Sequence, residues 1–187
     1  MERTSTTHPI RIDWVSLGGR GRIGMTFCPG KVQDDAWTGR WRRDLGTDLL
    51  AIRRWGCRLL LSLIEEPEYL ELGVPNLGAE AQRYGMAWQP LPIRDQCAPD
   101  QRFEAAWPQL WPQVQEVLEQ RGDLVLHCKG GLGRTGTLAA CLLVSFGESP
   151  ASALGRVRLA RPGTVETPAQ EAYVRAWPAR WASLGQK

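Results

Sequence analysis

The segment His127-Cys128-Lys129-Gly130-Gly131-Leu132-Gly133-Arg134-Thr135 gathers a thiol, three glycines and an arginine within nine residues. Three glycines let the amides of the five-residue loop between Cys128 and Arg134 turn inward together. A ring of inward N–H groups above a helix N-terminus is a ready anion site. Arg134 closes that ring with a planar fork that suits two phosphate oxygens. The same field stabilises a thiolate at Cys128, and a thiolate beneath a bound phosphate dianion is an in-line nucleophile for phosphoryl transfer. A shorter loop would not wrap the three equatorial oxygens, and a longer one would lose the arginine. Thr135 follows, where its hydroxyl is placed to donate to the sulfur and improve it as a leaving group. His127 precedes, where it is expected to orient the loop through hydrogen bonds to its backbone. The rival reading of Lys129, Gly130, Gly131, Leu132 and Gly133 is a structural turn, which leaves the thiol and the arginine unexplained.

Such a loop needs a strand to deliver it and a helix to receive it. Residues 124–127 read as a short buried strand that brings Cys128 to the carboxyl edge of a sheet, where α/β ligand sites lie. Residues 135–146 are apolar nearly all round, which predicts a central buried helix. Upstream, 11–17 alternates as a strand, with 25–27 as its hairpin partner across a glycine-rich turn. Residues 44–55 have helical spacing, with Asp44 as cap and Gly56 as stop. The apolar run 59–64 predicts a strand covered on both faces. Short helices follow at 67–72 and 78–84, then a strand at 86–91. A helix over 99–120 starts near Asp100 and ends at Gly122, with a bend or break expected at Pro108 and Pro112. Helices at 151–160 and 168–181 finish the chain. Strands alternating with helices predict an α/β fold with a central, mainly parallel sheet flanked by helices. Polar and aperiodic, 1–9 reads as a disordered tail, leaving 10–187 as a single domain.

A net charge of +3 suits an anionic substrate, but lysine and arginine are scattered without a tract, so nucleic acid is not an expected partner. The five cysteines form no C-x-x-C pair, and with only two histidines neither a metal site nor a cofactor is expected. No basic start leads into an apolar run, and the longest apolar stretches fall short of a bilayer span. Membrane insertion is therefore not expected, and a reducing cytoplasmic compartment suits a free thiolate. The nine tryptophans, Trp37 among them, are either aromatic walls around a substrate or packing residues, and packing is the plainer reading.

His127 to Gly136 resembles the H-C-x5-R-[ST] loop of protein tyrosine and dual-specificity phosphatases. Pro92-Ile93-Arg94-Asp95, followed by Pro99-Asp100, is similar to the acid loop of the kinase-associated phosphatase group, the cyclin-dependent kinase inhibitor 3 family. The segments 24–31, 74–77 and 163–170 resemble that group's other landmarks in the same order. The resemblance implies the cysteine-phosphatase fold and hydrolysis through phosphocysteine. It makes Asp95 the general acid, which would then as carboxylate activate water, and Gln170 a residue that positions this water. Glu166 stands where the family often has a further glutamine. The family name implies a kinase partner, but no partner surface lies in these motifs, so that partner stays unknown.

A phosphorylated protein is the leading substrate, on tyrosine and also serine or threonine. Inositol phosphates or phosphoinositides are the alternative, since Lys129 resembles the first loop lysine of phosphoinositide phosphatases, whereas Leu132 replaces their second. A catalytically inactive phosphate-binding module is disfavoured by intact Cys128, Arg134 and Asp95. Under oxidation Cys28 or Cys57 is a candidate to pair with Cys128, though both read more simply as small buried hydrophobes.

Overall fold

The apolar run ending at Ile64 needs cover on both faces, and the chain supplies it by winding helices to either side. The computed structural model describes residues 2–36 and 38–181, so Met1, Trp37 and 182–187 lie outside the described residues. In chain order the elements are β1 (Glu2–Arg3), β2 (Asp13–Ser16), β3 (Arg22–Phe27), β4 (Val32–Gln33) and β5 (Arg40–Arg42). Then come α1 (Leu45–Trp55), β6 (Cys57–Ser62), α2 (Glu66–Glu71), α3 (Leu77–Arg83), β7 (Ala87–Pro90) and α4 (Gln101–Glu119). The chain ends with β8 (Asp123–Cys128), α5 (Gly133–Ser145), α6 (Pro150–Ala160) and α7 (Pro168–Trp181).

The larger sheet has the order β2-β3-β8-β6-β7. Strands β3, β8, β6 and β7 are parallel, and β2 adds an antiparallel edge through its hairpin with β3. The expected α/β fold with a mainly parallel sheet is thus a mixed sheet with one antiparallel strand. Right-handed crossovers put α1 and α3 on one face and α4 on the other. The carboxyl ends of all four parallel strands therefore open on one edge.

The turn signals behave as their chemistry requires. Asp44 accepts the Thr47 N–H at the start of α1, and Gly56 ends it at φ 117. Asp100 accepts the Arg102 and Phe103 N–H groups and so begins α4. Of the bend or break expected at Pro108 and Pro112, a break does not occur: α4 runs unbroken through both. Each internal proline costs on the order of 3 kcal/mol. Against that, one face of α4 buries Phe103, Trp107, Leu110, Trp111, Val114 and Leu118, at about 2 kcal/mol or more per large apolar side chain. Trp107 and Trp177, rings 5.5 Å apart, lock α4 to α7, so these tryptophans are packing residues.

Residues 2–9 depart most from expectation. They are not a disordered tail: β1 pairs in parallel with β5, which pairs with β4 in a second, three-stranded sheet. Ser5 is buried, accepts the Asp44 N–H at 2.9 Å and donates back to the Asp44 carbonyl. Arg43 donates to the His8 carbonyl at 2.7 Å. These partners lie some forty residues along the chain, where local polarity gives no hint of them.

Candidate active site

Strand β8 pairs with β3 as far as Phe27↔Cys128, so the nucleophile stands at the carboxyl edge of the sheet. The loop turns there because Gly131 adopts φ 73, where a Cβ would lie 2.3 Å from the Thr26 carbonyl oxygen. That conformation aims the Gly131 N–H at Cys128 Sγ, 3.2 Å away. Leu132 begins α5 with no side-chain cap, leaving the helix's first amides for an anion.

Arg134 is 1% exposed. Its Nη1 donates to Glu68 Oε2 at 2.6 Å and its Nη2 to Glu68 Oε1 at 3.0 Å. Nη1 also donates to the Ile93 carbonyl at 3.1 Å, and Nη2 lies 2.9 Å from Asp95 Oδ1. Its Nε is buried without a partner, as is the Thr135 hydroxyl. Both are donors the protein leaves unspent beside the nucleophile.

His127 is fully buried, with Nε2 2.6 Å from the Ser62 hydroxyl oxygen, which also accepts the Trp88 Nε1–H at 2.8 Å. Burial pushes its imidazole down to about 3, so the ring is neutral. Asp95, on the loop after β7, keeps 55% of its side chain exposed and accepts the Gln96 N–H at 3.1 Å. Gln96 has a positive φ of 57, a strained backbone for a residue with a side chain.

Cys128, Lys129, Gly130, Leu132, Asp95 and Glu166 line one cleft of about 220 Å³. Gln170 does not line it. Its Oε1 accepts the Glu166 and Thr167 N–H groups, and its Nε2 donates to the Cys97 carbonyl at 3.2 Å. The amide braces the acid loop against the start of α7. Gly133 is tied to this brace, since a Cβ there would fall 2.3 Å from Glu166 Oε2 and 2.8 Å from Gln170 Nε2.

Three groups escaped the sequence reading. Glu68 gives no local signal that it faces Arg134. Arg161 donates from Nε to the Gly131 carbonyl at 2.6 Å and from Nη2 to the Gly130 carbonyl at 3.3 Å, while its Nη1 pairs with Asp13. Lys31 lines the cleft from the second sheet's side; it ends the 24–31 landmark but was not singled out. Of the other cysteines, Cys57 pairs with Asp123 at the far end of the sheet from Cys128, whereas Cys28 follows the residue paired with Cys128. Both thiols are free, and burial pushes both up, Cys57 to about 12. Among the described residues no helix is long and apolar enough to cross a membrane, and no cluster of three or more His, Cys, Asp or Glu can hold a metal ion.

Fold and cleft together define the class: a cysteine-dependent phosphatase of the protein-tyrosine and dual-specificity type. More narrowly, the chain belongs to the family described as Swiss Army Knife protein, DSP-PTPase phosphatase domain, which it matches over residues 41–174. It is 29% identical to cyclin-dependent kinase inhibitor 3 of Mus musculus over 172 residues, covering 89% of this chain and 77% of that protein. The Homo sapiens counterpart is 28% identical over the same span. It is also similar to the crystal structure of kinase associated phosphatase with a serine in place of the catalytic-site cysteine. There the TM-score is 0.81 at 27% identity, covering 94% of this chain and 97% of that one.

Proposed function

We propose that this phosphatase hydrolyses phosphomonoesters of proteins through a phosphocysteine on Cys128, with Asp95 as general acid and then base. The Cys128 thiolate attacks phosphorus in line as the P–O bond to the substrate breaks. The Asp95 carboxyl gives its proton to the departing oxygen. Water then attacks the phosphocysteine, loses its proton to the Asp95 carboxylate, and the S–P bond breaks to return the thiolate. The Thr135 hydroxyl donates to that leaving sulfur. The amides of Lys129, Gly130, Leu132 and Gly133 and the Arg134 guanidinium hold the equatorial oxygens, while the Gly131 N–H faces the sulfur. Neutral His127 fixes the strand end beneath the sulfur, and Gln170 acts through its brace on the acid loop.

The observation that carries this reading is Arg134 Nε. The other two guanidinium nitrogens are committed to carboxylates, yet Nε is buried and unpaired beside the nucleophile. A phosphate oxygen satisfies it. A phosphoprotein substrate and a kinase among its partners are supported by two relatives, one named a cyclin-dependent kinase inhibitor and the other a kinase associated phosphatase. The reduced thiols fit a cytoplasmic setting.

The test is Cys128→Ser, which is expected to abolish turnover while phosphate still binds, because the amide ring survives. Detectable hydrolysis by pure variant protein rules out the phosphocysteine. Phosphotyrosine, phosphothreonine and phosphoserine peptides assayed beside inositol phosphates and phosphoinositides decide the substrate class. Turnover of the lipids or inositol phosphates alone overturns the protein reading.

A further inference from the structure

Lys31 is only 4% exposed, yet it lines the cleft that holds Cys128. Its ammonium donates to the Lys129 carbonyl at 3.3 Å and lies over the faces of Trp41 and Phe27, 4.1 and 5.4 Å from their centroids. Among the described residues no carboxylate pairs with it. A buried ammonium without an acid is costly to hold, and this fold holds it firmly. The Lys31 carbonyl accepts the Arg43 N–H, and Arg43 forms a fully buried ion pair with Asp48. Asp48 also accepts the Gly30 N–H at 2.9 Å, fixing the turn from which Lys31 projects.

The position of the ammonium says which anion it awaits. The Lys129 carbonyl also accepts the Cys28 N–H at 3.4 Å, so it faces away from the ring of amides. Lys31 therefore lies outside the ring of amides, in the cleft it shares with Cys128. Gln33 and Thr38 line the cleft with it, while Asp95 and Glu166 line the cleft too and bring negative charge. A second anion on the substrate is drawn to the lysine side and repelled from the carboxylates.

We infer that Lys31, together with Lys129, forms a second anion subsite that selects phosphopeptides carrying a carboxylate or a second phosphate next to the phosphorylated residue. This rests on the protein-substrate reading above. Burial pushes Lys31 down to about 8; Cys28 and Cys128 pull it up, and the Arg43 and Lys129 charges push it further down. Lys31 is therefore charged at neutral pH and discharges within an accessible range.

The experiment compares kcat/KM for matched phosphotyrosine peptides with Glu or Gln, and with phosphoserine or Ser, immediately before or after the phosphotyrosine. Wild-type protein is expected to favour the anionic peptide roughly tenfold or more in one of the two orientations, as for a charge-assisted hydrogen bond. Lys31→Met is expected to reduce that ratio to about twofold or less, and Lys31→Arg to keep it. A general loss of activity cancels in the ratio. The wild-type preference is also expected to fade between about pH 7 and about pH 10, which decides the matter if Lys31→Met does not fold. Phosphoserine outperforming Glu marks a second phosphate as the anion; the reverse marks a carboxylate. Peptides turned over at equal rates in both orientations, or a preference constant across that pH range, overturn this inference and leave the protein-substrate reading intact. No turnover of any phosphopeptide overturns both.

Discussion

Glu68 grips Arg134 through two hydrogen bonds, of 2.6 and 3.0 Å, that span both terminal nitrogens of the guanidinium. This bidentate pairing fixes the plane of the fork before any substrate arrives, and it turns Nε toward the loop. Burial opposes the Arg134 charge. The Glu68 hydrogen bonds and the negative charges at Cys128, Glu68 and Asp95 outweigh it and hold the group above its ordinary value. The arginine is a rigid, permanently charged donor whose aim is set by a residue that touches no phosphate.

Glu68→Gln keeps the side chain's shape and removes the charge, leaving a buried guanidinium without its main counter-ion. Breaking a buried pair from one side costs about 3 kcal/mol or more, and a misaimed clamp costs roughly a hundredfold in turnover. Urea unfolding and steady-state kinetics measure both. A variant with wild-type stability and kcat shows that the pairing positions nothing.

Arg134→Lys conserves charge but not the fork. One ammonium cannot satisfy Glu68 in two places and also reach two equatorial oxygens. Turnover is expected to fall by several orders of magnitude, and near-normal kinetics exclude Arg134 as the clamp.

Arg161 acts on the loop from outside. By holding the Gly130 and Gly131 carbonyls it turns the neighbouring amides inward, and Asp13 holds the arginine in turn. Arg161→Met is expected to weaken orthovanadate binding roughly tenfold, the worth of a charge-assisted hydrogen bond. Arg161→Lys is expected to recover part of it. Unchanged vanadate affinity in both variants makes Arg161 a plain surface tie.

What could be read from the sequence was local. The strand, glycine turn, thiol and arginine of 127–135 are contiguous, and Asp44, Gly56 and Asp100 cap or stop helices within three residues of themselves. Glu68, Lys31 and Arg161 were hidden because they depend on strand order. Sixty-six residues separate Glu68 from Arg134, and only the placement of β6 beside β8 joins them. Lys31 reaches the cleft because β3 flanks β8 on the other side. Gln170 was legible as a residue near the site, but its bonds to backbone groups of the acid loop were not.

His127 makes stability depend on pH from above the range in which carboxylates titrate. Buried, it titrates near 3, whereas in an unfolded chain it would titrate near about 6.5. Below that value the unfolded chain takes up a proton that the fold refuses. Stability is therefore full above about pH 6.5 and falls by about 1.4 kcal/mol per unit as pH drops further. Unfolding of wild type and His127→Asn at pH values between about 6.5 and 4.5 checks it. A wild-type profile as flat as the variant's contradicts the neutral, buried ring.

The remaining question is which aspartate of the acid loop does chemistry. Asp100 is occupied: it caps α4 through the Arg102 and Phe103 N–H groups at 3.0 and 3.3 Å and pairs with the Arg102 side chain. Burial is the largest single influence and raises its pKa, but the hydrogen bonds from Arg102 and Phe103 together outweigh it and hold the carboxyl below its ordinary value. An acid held ionised is a poor proton donor. Its contribution to stability is present above about pH 4 and is lost as pH falls through the lowered value. Asp95 caps no helix and is more than half exposed at the mouth of the cleft, with one oxygen 2.9 Å from Arg134 Nη2. A bound phosphate dianion competes for that arginine and leaves the carboxyl free to turn toward the departing oxygen. Asp95→Asn is therefore expected to lower turnover roughly a hundredfold or more and to remove the alkaline limb of the pH–rate profile. The deficit should shrink for leaving groups of low pKa, which need little protonation. Asp100→Asn is expected to keep most of its turnover and lose at most about 1 kcal/mol of stability. Parallel pH–rate profiles and thermal unfolding of the two variants settle the assignment: a catalytic collapse in Asp100→Asn beside a healthy Asp95→Asn reverses it.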